Sequence, residues 1–246
     1  MIDVKRVEVC GVPVDCVTMS DAVRVAESWV ETGDHPLAIL AVNPEKIIRA
    51  QQDPTLLTTL RASGLLIPDG IGVVFAVRLL GLGNLERVPG AELMPELCGL
   101  AAKKGYKVFL FGANPETILR AAEVLRQRYS CLNIAGVQHG YVKEEEMQSV
   151  ITAINDTQAE LLFVALGSPK QELWMTRYLP SLKVKVCQGV GGTFDVIAGR
   201  VKRAPLAFRR LHLEWFYRLL SQPSRILRQK TYPIFAFRVL RKRLLG

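Results

Sequence analysis

The sequence predicts an α/β protein in which helices surround a parallel β-sheet. From residue 106 onward, short apolar runs alternate with capped helical segments, as in βαβ units. The 246 residues are 49% hydrophobic and 22% charged, which indicates a globular chain long enough for a sizeable core. We therefore expect a Rossmann-like α/β domain over residues 1–200 and a C-terminal basic, amphipathic helical appendage over residues 201–246.

The first hundred residues are the less regular part. Residues 7–17 predict a short strand or hairpin with a Gly/Pro turn, and residues 18–21 supply caps for a helix that ends near residue 32. Buried strands are expected at Leu37–Val42 and Leu65–Pro68. The helices expected around them cover residues 45–52, 54–62, 73–80 and 91–104.

Beyond residue 106, strands and helices alternate. The strands are expected at residues 107–111, 132–138, 160–166 and 184–190, and the helices at residues 115–128, 144–155 and 169–179. Ligands of such sheets bind beyond the carboxyl ends of the strands, where the strand order reverses. The turns that follow the strands are therefore the candidate binding rim, and the residues we select from them are Asn43, Gly70, Gly112, Lys170, Gly191, Gly192 and Asp195.

Several classes of protein are disfavoured by composition. The five cysteines are scattered and show no C-x-x-C spacing, which indicates neither a disulfide framework nor a zinc site, and a reducing cytoplasm is the simplest setting. The N-terminus lacks the pattern of a signal peptide. No uncharged stretch reaches the roughly 18 apolar residues that a spanning helix needs. We expect a cytoplasmic protein that does not cross the membrane.

The positive charge is concentrated in the tail. Residues 200–246 contain 13 Lys/Arg and one acidic residue, whereas residues 1–199 carry a net charge of −3. Aromatic residues at helical spacing accompany the basic ones, which favours an amphipathic element on an anionic membrane surface. A basic helix can also bind nucleic acid, but no such motif is present and we expect no nucleic acid. A C-terminal helix that packs on the core is the other alternative, above all for residues 206–221.

Asp69 is the candidate catalytic residue. It lies in Ile67-Pro68-Asp69-Gly70-Ile71-Gly72, where an apolar run stops at one carboxylate between a proline and glycines. The window alone is explained most simply by an Asp that caps a helix N-terminus. The alternative is a general base at the end of a strand, and the remaining features of the chain favour it.

The other motifs narrow the reaction class. Neither G-x-G-x-x-G nor a P-loop is present, which argues against hydride transfer and P-loop chemistry. No D-x-D occurs and the three histidines are far apart, so we expect no catalytic metal and no cofactor. Gly-rich turns that open helices can still hold a diphosphate, and a UDP-sugar donor would suit them. Without a metal, transfer of the sugar needs a base for the acceptor hydroxyl. It also needs a cation or hydrogen-bond donors for the leaving diphosphate.

Arg87 and Gln171 are the candidates for these further roles. Arg87 could stabilise the leaving diphosphate, or it could form a surface salt bridge with Glu86 or Glu92. Gln171 has an amide donor and acceptor for a sugar hydroxyl, while Gln171 and Lys170 could equally form a solvated first helical turn. The residues alone leave these alternatives open.

Six separated motifs, in order, resemble the WecG/TagA/CpsF family of bacterial glycosyltransferases, glycosyltransferase family 26. The resemblance covers nearly the whole chain. Its motifs are Asn43-Pro44-Glu45, Ile67-Pro68-Asp69-Gly70-Ile71-Gly72, Glu86-Arg87-Val88-Pro89-Gly90, Val164-Ala165-Leu166-Gly167-Ser168-Pro169-Lys170-Gln171-Glu172, Gly189-Val190-Gly191-Gly192-Thr193-Phe194-Asp195 and Lys202-Arg203-Ala204-Pro205, followed by Leu213-Glu214-Trp215.

The resemblance implies an inverting, metal-independent enzyme that transfers a hexose or N-acetylhexosamine from a UDP-sugar to a polyprenyl-diphosphate-linked sugar. The acceptor would lie in the cytoplasmic leaflet of the bacterial membrane during synthesis of teichoic acid, common antigen or exopolysaccharide. By the same resemblance, Asp69 is the general base and Arg87 and Gln171 are functionally important. The appendage would dock on the membrane, and Arg218, Arg225 and Arg228 would meet the lipid diphosphate.

One position departs from the family pattern, and one rival class remains. Family members often carry Thr where this chain has Ala41, so the identity of the donor sugar is open, as are the acceptor sugar and the linkage. The rival is a non-enzymatic Rossmann-like module tethered to membrane or nucleic acid by its basic tail. A homo-oligomer is compatible with the sequence, which does not specify the oligomeric state.

Overall fold

The computed structural model describes residues 4–202, 204–205, 208, 217 and 231–245. Within them lie an antiparallel hairpin, β1 (Arg6–Val9) and β2 (Val12–Asp15), and a six-stranded parallel sheet. The sheet consists of β3 (Leu37–Val42), β4 (Leu65–Pro68), β5 (Lys107–Gly112), β6 (Asn133–Gln138), β7 (Leu161–Ala165) and β8 (Val186–Gly189). The expected α/β architecture and the hairpin are confirmed.

The helices connect and cover these strands. They are α1 (Met19–Thr32), α2 (Pro44–Ala50), α3 (Pro54–Ala62), α4 (Ile71–Leu79), α5 (Gly90–Lys104), α6 (Pro115–Arg128), α7 (Met147–Asp156), α8 (Lys170–Tyr178), α9 (Thr193–Ile197) and α10 (Thr231–Leu245). The segment expected as one helix over residues 144–155 begins with a 3-10 turn at Glu144–Glu146, and α7 follows it. Helix α9 was not predicted.

The strand order is β4-β3-β8-β7-β5-β6. The chain builds one edge with β3 and β4, crosses to the other edge for β5 and β6, and returns to place β7 and β8 in the centre. The connection after β3 leads outward to β4, whereas α9, which follows β8, packs against α6 in the other direction. A topological switch point therefore lies between β3 and β8, and ligands of open parallel sheets bind at such points. Loops that are far apart in sequence meet at this place.

The sheet is buried on both faces, which explains why its strands have continuous apolar sequences. Successive side chains of β3 enter different clusters. Leu40 belongs to the cluster on one face, together with Phe111, and Ile39 belongs to the cluster on the other face, together with Phe163. Helix α10 packs against α2 and α4. Its Phe235 and Val239 belong to the same cluster as Leu40.

Helix α1 begins with a capping box. The hydroxyl of Thr18 accepts a hydrogen bond from the backbone N–H of Asp21, and the Asp21 carboxylate accepts one from the backbone N–H of Thr18. The backbone N–H and the hydroxyl of Thr18 and the guanidinium of Arg24 all donate to the ionised carboxylate, and these bonds lower the pKa of Asp21 to about 2. The cap expected at residues 18–21 is thereby confirmed.

We expect Asp21→Asn to lower the free energy of unfolding at neutral pH by about 0.5–1 kcal/mol, because the charged half of the capping box is lost. The pKa is lower in the folded than in the unfolded chain, so the contribution is complete above pH about 4 and is lost toward pH about 2. Urea unfolding of both proteins across this interval measures the difference. A difference that stays constant with pH would contradict the assignment.

Candidate active site

A cavity of about 340 Å³ opens at the carboxyl ends of the central strands. It combines cationic and anionic side chains with backbone from glycine-rich turns. Its lining residues are Ala41, Asn43, Glu45, Lys46, Arg49, Asp69, Gly90, Ala91, Gly167, Ser168, Gln171, Gly189, Val190, Gly191, Gly192, Thr193, Asp195, Val196, Val201 and Lys202. Of the predicted site residues, it brings together Asn43, Asp69, Gln171, Gly191, Gly192 and Asp195.

Asn43 and Asp69 are the first residues after two neighbouring strands, β3 and β4, and lie at the same edge of the sheet. Val42 of β3 is paired with Pro68 of β4, and the backbone N–H of Asp69 donates to the Val42 carbonyl at 2.8 Å. The side-chain oxygen of Asn43 caps α2 by accepting a hydrogen bond from the backbone N–H of Lys46 at 2.8 Å. This cap uses the oxygen of Asn43 and fixes the direction of its amide group at the cavity.

Asp69 is not the N-cap of the helix that follows it. Helix α4 starts at Ile71, and the cap position is occupied by Gly70 with φ +123°, a conformation that favours glycine. The simplest interpretation of the sequence window, a capping Asp, is therefore wrong. The half-buried Asp69 lies one residue before the cap and lines the cavity.

Arg87 lies close to the same strand end but does not line the cavity. The backbone N–H of Val88 donates to the carbonyl of Pro68 at 2.9 Å, which ties the loop before α5 to the end of β4. Arg87 is half-buried beside this anchor point. Its backbone is thus held next to the turn that carries Asp69.

Gln171 connects two of the loops around the cavity. Its side chain is 4% exposed, and its carbonyl oxygen accepts a hydrogen bond from the backbone N–H of Gly191 at 2.9 Å. The alternative of a solvated helical turn is wrong for Gln171. Lys170, by contrast, is exposed and does not line the cavity. Gln171 therefore sets the position of the turn after β8.

A buried ion pair lies behind Gln171, and the sequence had not suggested it. The Lys46 ammonium donates to Glu172 Oε1 at 2.6 Å and to the carbonyl of Ala41 at 2.6 Å. Both side chains are buried, and Glu172 is fully so. The amide of Gln171 donates to the same Glu172 oxygen at 3.4 Å. A chain of polar contacts thus joins the turns after β3, β7 and β8.

Helices α5 and α8 begin at the cavity. Gly90 opens α5, and Gly167 and Ser168 precede α8. The amide of Gln188, a buried residue of β8, donates to the Gly90 carbonyl at 3.2 Å and so fixes the start of α5 against the sheet. Backbone N–H groups at helix N-termini carry partial positive charge and favour bound anions. The cavity is chemically suited to a phosphate-containing ligand.

Gly112 does not line this cavity. A Cβ at this position would lie 2.4 Å from the carbonyl oxygen of Ala165, so close packing of β5 on β7 explains the glycine. Three predicted acceptor-binding residues, Arg218, Arg225 and Arg228, lie outside the described residues. Glu45, Arg49, Thr193 and Lys202 also line the cavity, although they were not among the residues selected from the sequence. Glu45, Thr193 and Lys202 belong to the motifs themselves, and Arg49 follows Glu45 by one helical turn, which was the available signal.

Metal-ligand clusters are not evident in the described part of the chain, and two of its thiols are deeply buried. No group of three His, Cys, Asp or Glu side chains there could hold a metal ion. Burial raises the pKa of the Cys98 thiol to about 12 and also raises that of Cys187, which keeps both protonated at neutral pH. None of the helices in the described ranges is long and apolar enough to span a bilayer.

A comparison with protein families agrees with this arrangement. The family model described as glycosyl transferase WecG/TagA/CpsF family matches residues 7–246. The match includes the three predicted catalytic residues, Asp69, Arg87 and Gln171, and every loop that lines the cavity. The family model covers nearly the whole chain, including the parallel sheet and the polar cavity at its strand ends. This protein therefore belongs to the WecG/TagA/CpsF family of glycosyltransferases.

Proposed function

We propose that this glycosyltransferase is inverting and metal-independent, and that it moves a hexose or N-acetylhexosamine, such as glucose or N-acetylmannosamine, from a UDP-sugar to a polyprenyl-diphosphate-linked sugar. The product would enter synthesis of a cell-surface polysaccharide or teichoic acid. One observation carries the proposal: the carboxylate of Asp69 lies in the same cavity as the N-termini of α5 and α8. A base and an anion-binding surface are the two parts that such a transfer requires.

In the proposed reaction, Asp69 removes the proton from the acceptor hydroxyl. The hydroxyl oxygen then attacks the anomeric carbon from the side opposite the diphosphate, and the bond from that carbon to the diphosphate oxygen breaks. Attack from the opposite side inverts the configuration. The electron pair of the broken bond stays with UDP, whose added charge is stabilised by backbone N–H groups. Arg87, which lies beside the cavity and not in its lining, would join them once the donor is bound.

The donor would lie over the turn after β8. Gly191 and Gly192 leave room for a ligand to approach the backbone, and Gln171 holds this turn through the N–H of Gly191. Asp195 at the same rim is positioned for sugar or ribose hydroxyls, since a carboxylate accepts such bonds. Arg49 and Lys202, which are exposed and line the cavity, add positive charge for a diphosphate.

The acceptor would be presented at the inner face of the bacterial plasma membrane, to which the protein attaches peripherally. The basic tail supports this part of the proposal, because cationic residues next to aromatic ones bind anionic headgroups. In the same proposal Arg218, Arg225 and Arg228 bind the lipid diphosphate. A catalytic domain at residues 1–200 and a docking segment at residues 201–246 remain our proposed division.

We expect UDP release and a mass increase of one hexose or N-acetylhexosamine unit when the protein is given its donor and a polyprenyl-diphosphate-GlcNAc or -Glc acceptor. A screen of UDP-sugars by mass spectrometry measures both, and turnover should persist in excess EDTA. Strict dependence on Mn²⁺ or Mg²⁺ would contradict metal independence. Vesicle binding without turnover of any UDP-sugar would favour a non-enzymatic tethered module.

A further inference from the structure

Helix α4 exposes two large apolar side chains, although most of its length is buried. Phe75 is 62% exposed and Leu79 is 44% exposed. The residues between and before them face the core, namely Val73, Val74, Ala76 and Val77. Single exposed apolar residues are ordinary, whereas a continuous apolar surface indicates a binding partner. Whether Phe75 and Leu79 belong to a binding surface therefore depends on the side chains around them.

Helix α10 packs beside the side of α4 that carries Phe75 and Leu79. A Cβ at Gly72 would be 3.8 Å from the ring of Phe235, so the Gly72 face of α4 is turned toward α10. Phe75 and Leu79 follow Gly72 by three and seven residues. This spacing places all three on one face of a helix. The exposed side chains of α4 consequently border α10.

The outer face of α10 is apolar as well. Phe235 and Val239 are buried against the domain, and Phe237, which follows Phe235 by two residues, lies on the opposite side of the helix and is 67% exposed. Leu240 and Leu244 extend this outer face and are exposed. We call the exposed apolar residues of the two helices the α4/α10 face, which comprises Phe75, Leu79, Ile234, Phe237, Leu240, Leu244 and Leu245.

The charge of the α4/α10 face identifies the kind of partner. The two helices contain no acidic residue, and they contain the five basic residues Arg78, Arg238, Arg241, Lys242 and Arg243. Exposed apolar side chains among Lys and Arg complement a bilayer surface, where the apolar groups enter the headgroup region and the cations meet anionic lipids.

The α4/α10 face also adjoins the cavity. Helix α4 begins two residues after Asp69, and α10 packs on α2, which is capped by the cavity residue Asn43. A surface in this position would bring the cavity close to the bilayer.

We propose that α4 is a membrane-contact element of the catalytic domain itself: Phe75 and Leu79 insert beside α10 into the headgroup region of an anionic bilayer. Lipid contact is then not confined to the basic tail. The benefit to catalysis rests on the proposed function, because only a lipid-linked acceptor needs the cavity at the membrane, while the lipid contact itself can be measured without turnover.

The test compares the full-length protein with Phe75→Ser/Leu79→Ser in sedimentation with vesicles of phosphatidylglycerol and phosphatidylcholine. We expect the partition coefficient of the variant to fall about tenfold or more, because two apolar side chains no longer enter the headgroup region. Leu119→Ser on α6 is the matched control, since Leu119 is 58% exposed and α6 packs beside β6, at the sheet edge opposite to β4. It should bind as the unmodified protein does. Phe75→Trp should retain binding, because Trp favours the membrane interface.

Two outcomes would overturn the proposal. One is equal vesicle binding by the unmodified protein and the double Ser variant, with circular dichroism showing that both are folded. The other is conversion of a dimer to a monomer in analytical ultracentrifugation without a change in vesicle binding, which would make a second copy of the chain the partner. If the double Ser variant loses vesicle binding but no UDP-sugar is turned over, the membrane contact stands and the proposed function fails.

Discussion

Asp69→Asn is expected to lower kcat for glycosyl transfer by about 10²–10⁴, the range that a general base contributes. Asparagine has nearly the same shape as aspartate, but it cannot take the proton of the acceptor hydroxyl. UDP binding and the fold should remain intact, because Asp69 is half-buried at a strand end and not a core residue. Single-turnover kinetics, calorimetry with UDP and thermal unfolding measure these three properties.

The cavity offers its own controls for this prediction. Glu45 and Asp195 are the other carboxylates among its lining residues, and Glu45→Gln and Asp195→Asn remove their charges in the same way. We expect these variants to change KM for the donor more than kcat. A loss of kcat in Asp195→Asn or Glu45→Gln, together with near-normal turnover by Asp69→Asn, would move the base to another residue.

Lys46→Met is expected to lower the free energy of unfolding by about 3–5 kcal/mol, the cost of leaving one charge of a buried pair without its partner. Glu172 is fully buried, and within the described part of the chain its Oε2 atom accepts no hydrogen bond. Its Oε1 atom depends on Lys46 and on the long contact from Gln171. Urea unfolding followed by circular dichroism measures the change.

The exposed pair of Arg120 and Glu123 on α6 is the matched control. Its charged atoms are 2.9 Å apart, yet both side chains are more than half exposed, so Arg120→Ala should cost at most about 0.5 kcal/mol. Lys46→Met/Glu172→Leu should recover much of the lost stability, since apolar groups can replace a buried pair. If Lys46→Met costs no more than Arg120→Ala, the buried pair is not a structural link between the loops.

Local patterns predicted the elements well. The strands at Leu37–Val42 and Leu65–Pro68 have the predicted ends, because a buried apolar run is bounded by residues that stop it: Asn43 caps a helix and Gly70 turns the chain. Helix α9 was missed because it is only five residues long and follows a glycine turn. Such a short helix depends on its surroundings more than on its own sequence.

The site was predicted only in part, because some of its features depend on contacts between residues that are far apart in the sequence. Asn43, Asp69 and Asp195 were found because each follows an apolar run, and the carboxyl ends of parallel strands lie at one edge of the sheet. Lys46 and Glu172 are 126 residues apart, and each looks like an ordinary surface charge in its own window. Gly112 resembled the binding glycines, but its role depends on the distance between β5 and β7.

The sequence by itself determined the strands, most of the helices, the basic tail and the family, because these follow from spacing, capping and ordered motifs within short windows. Only the tertiary structure decided that Gly70 and not Asp69 caps α4, that Gln171 holds Gly191, and that Phe75 borders α10. The physical reason is that these contacts join segments that are distant in the sequence, and the strand order brings them together. Which turns become neighbours, and which charges are buried, is decided when β7 and β8 enter the centre of the sheet.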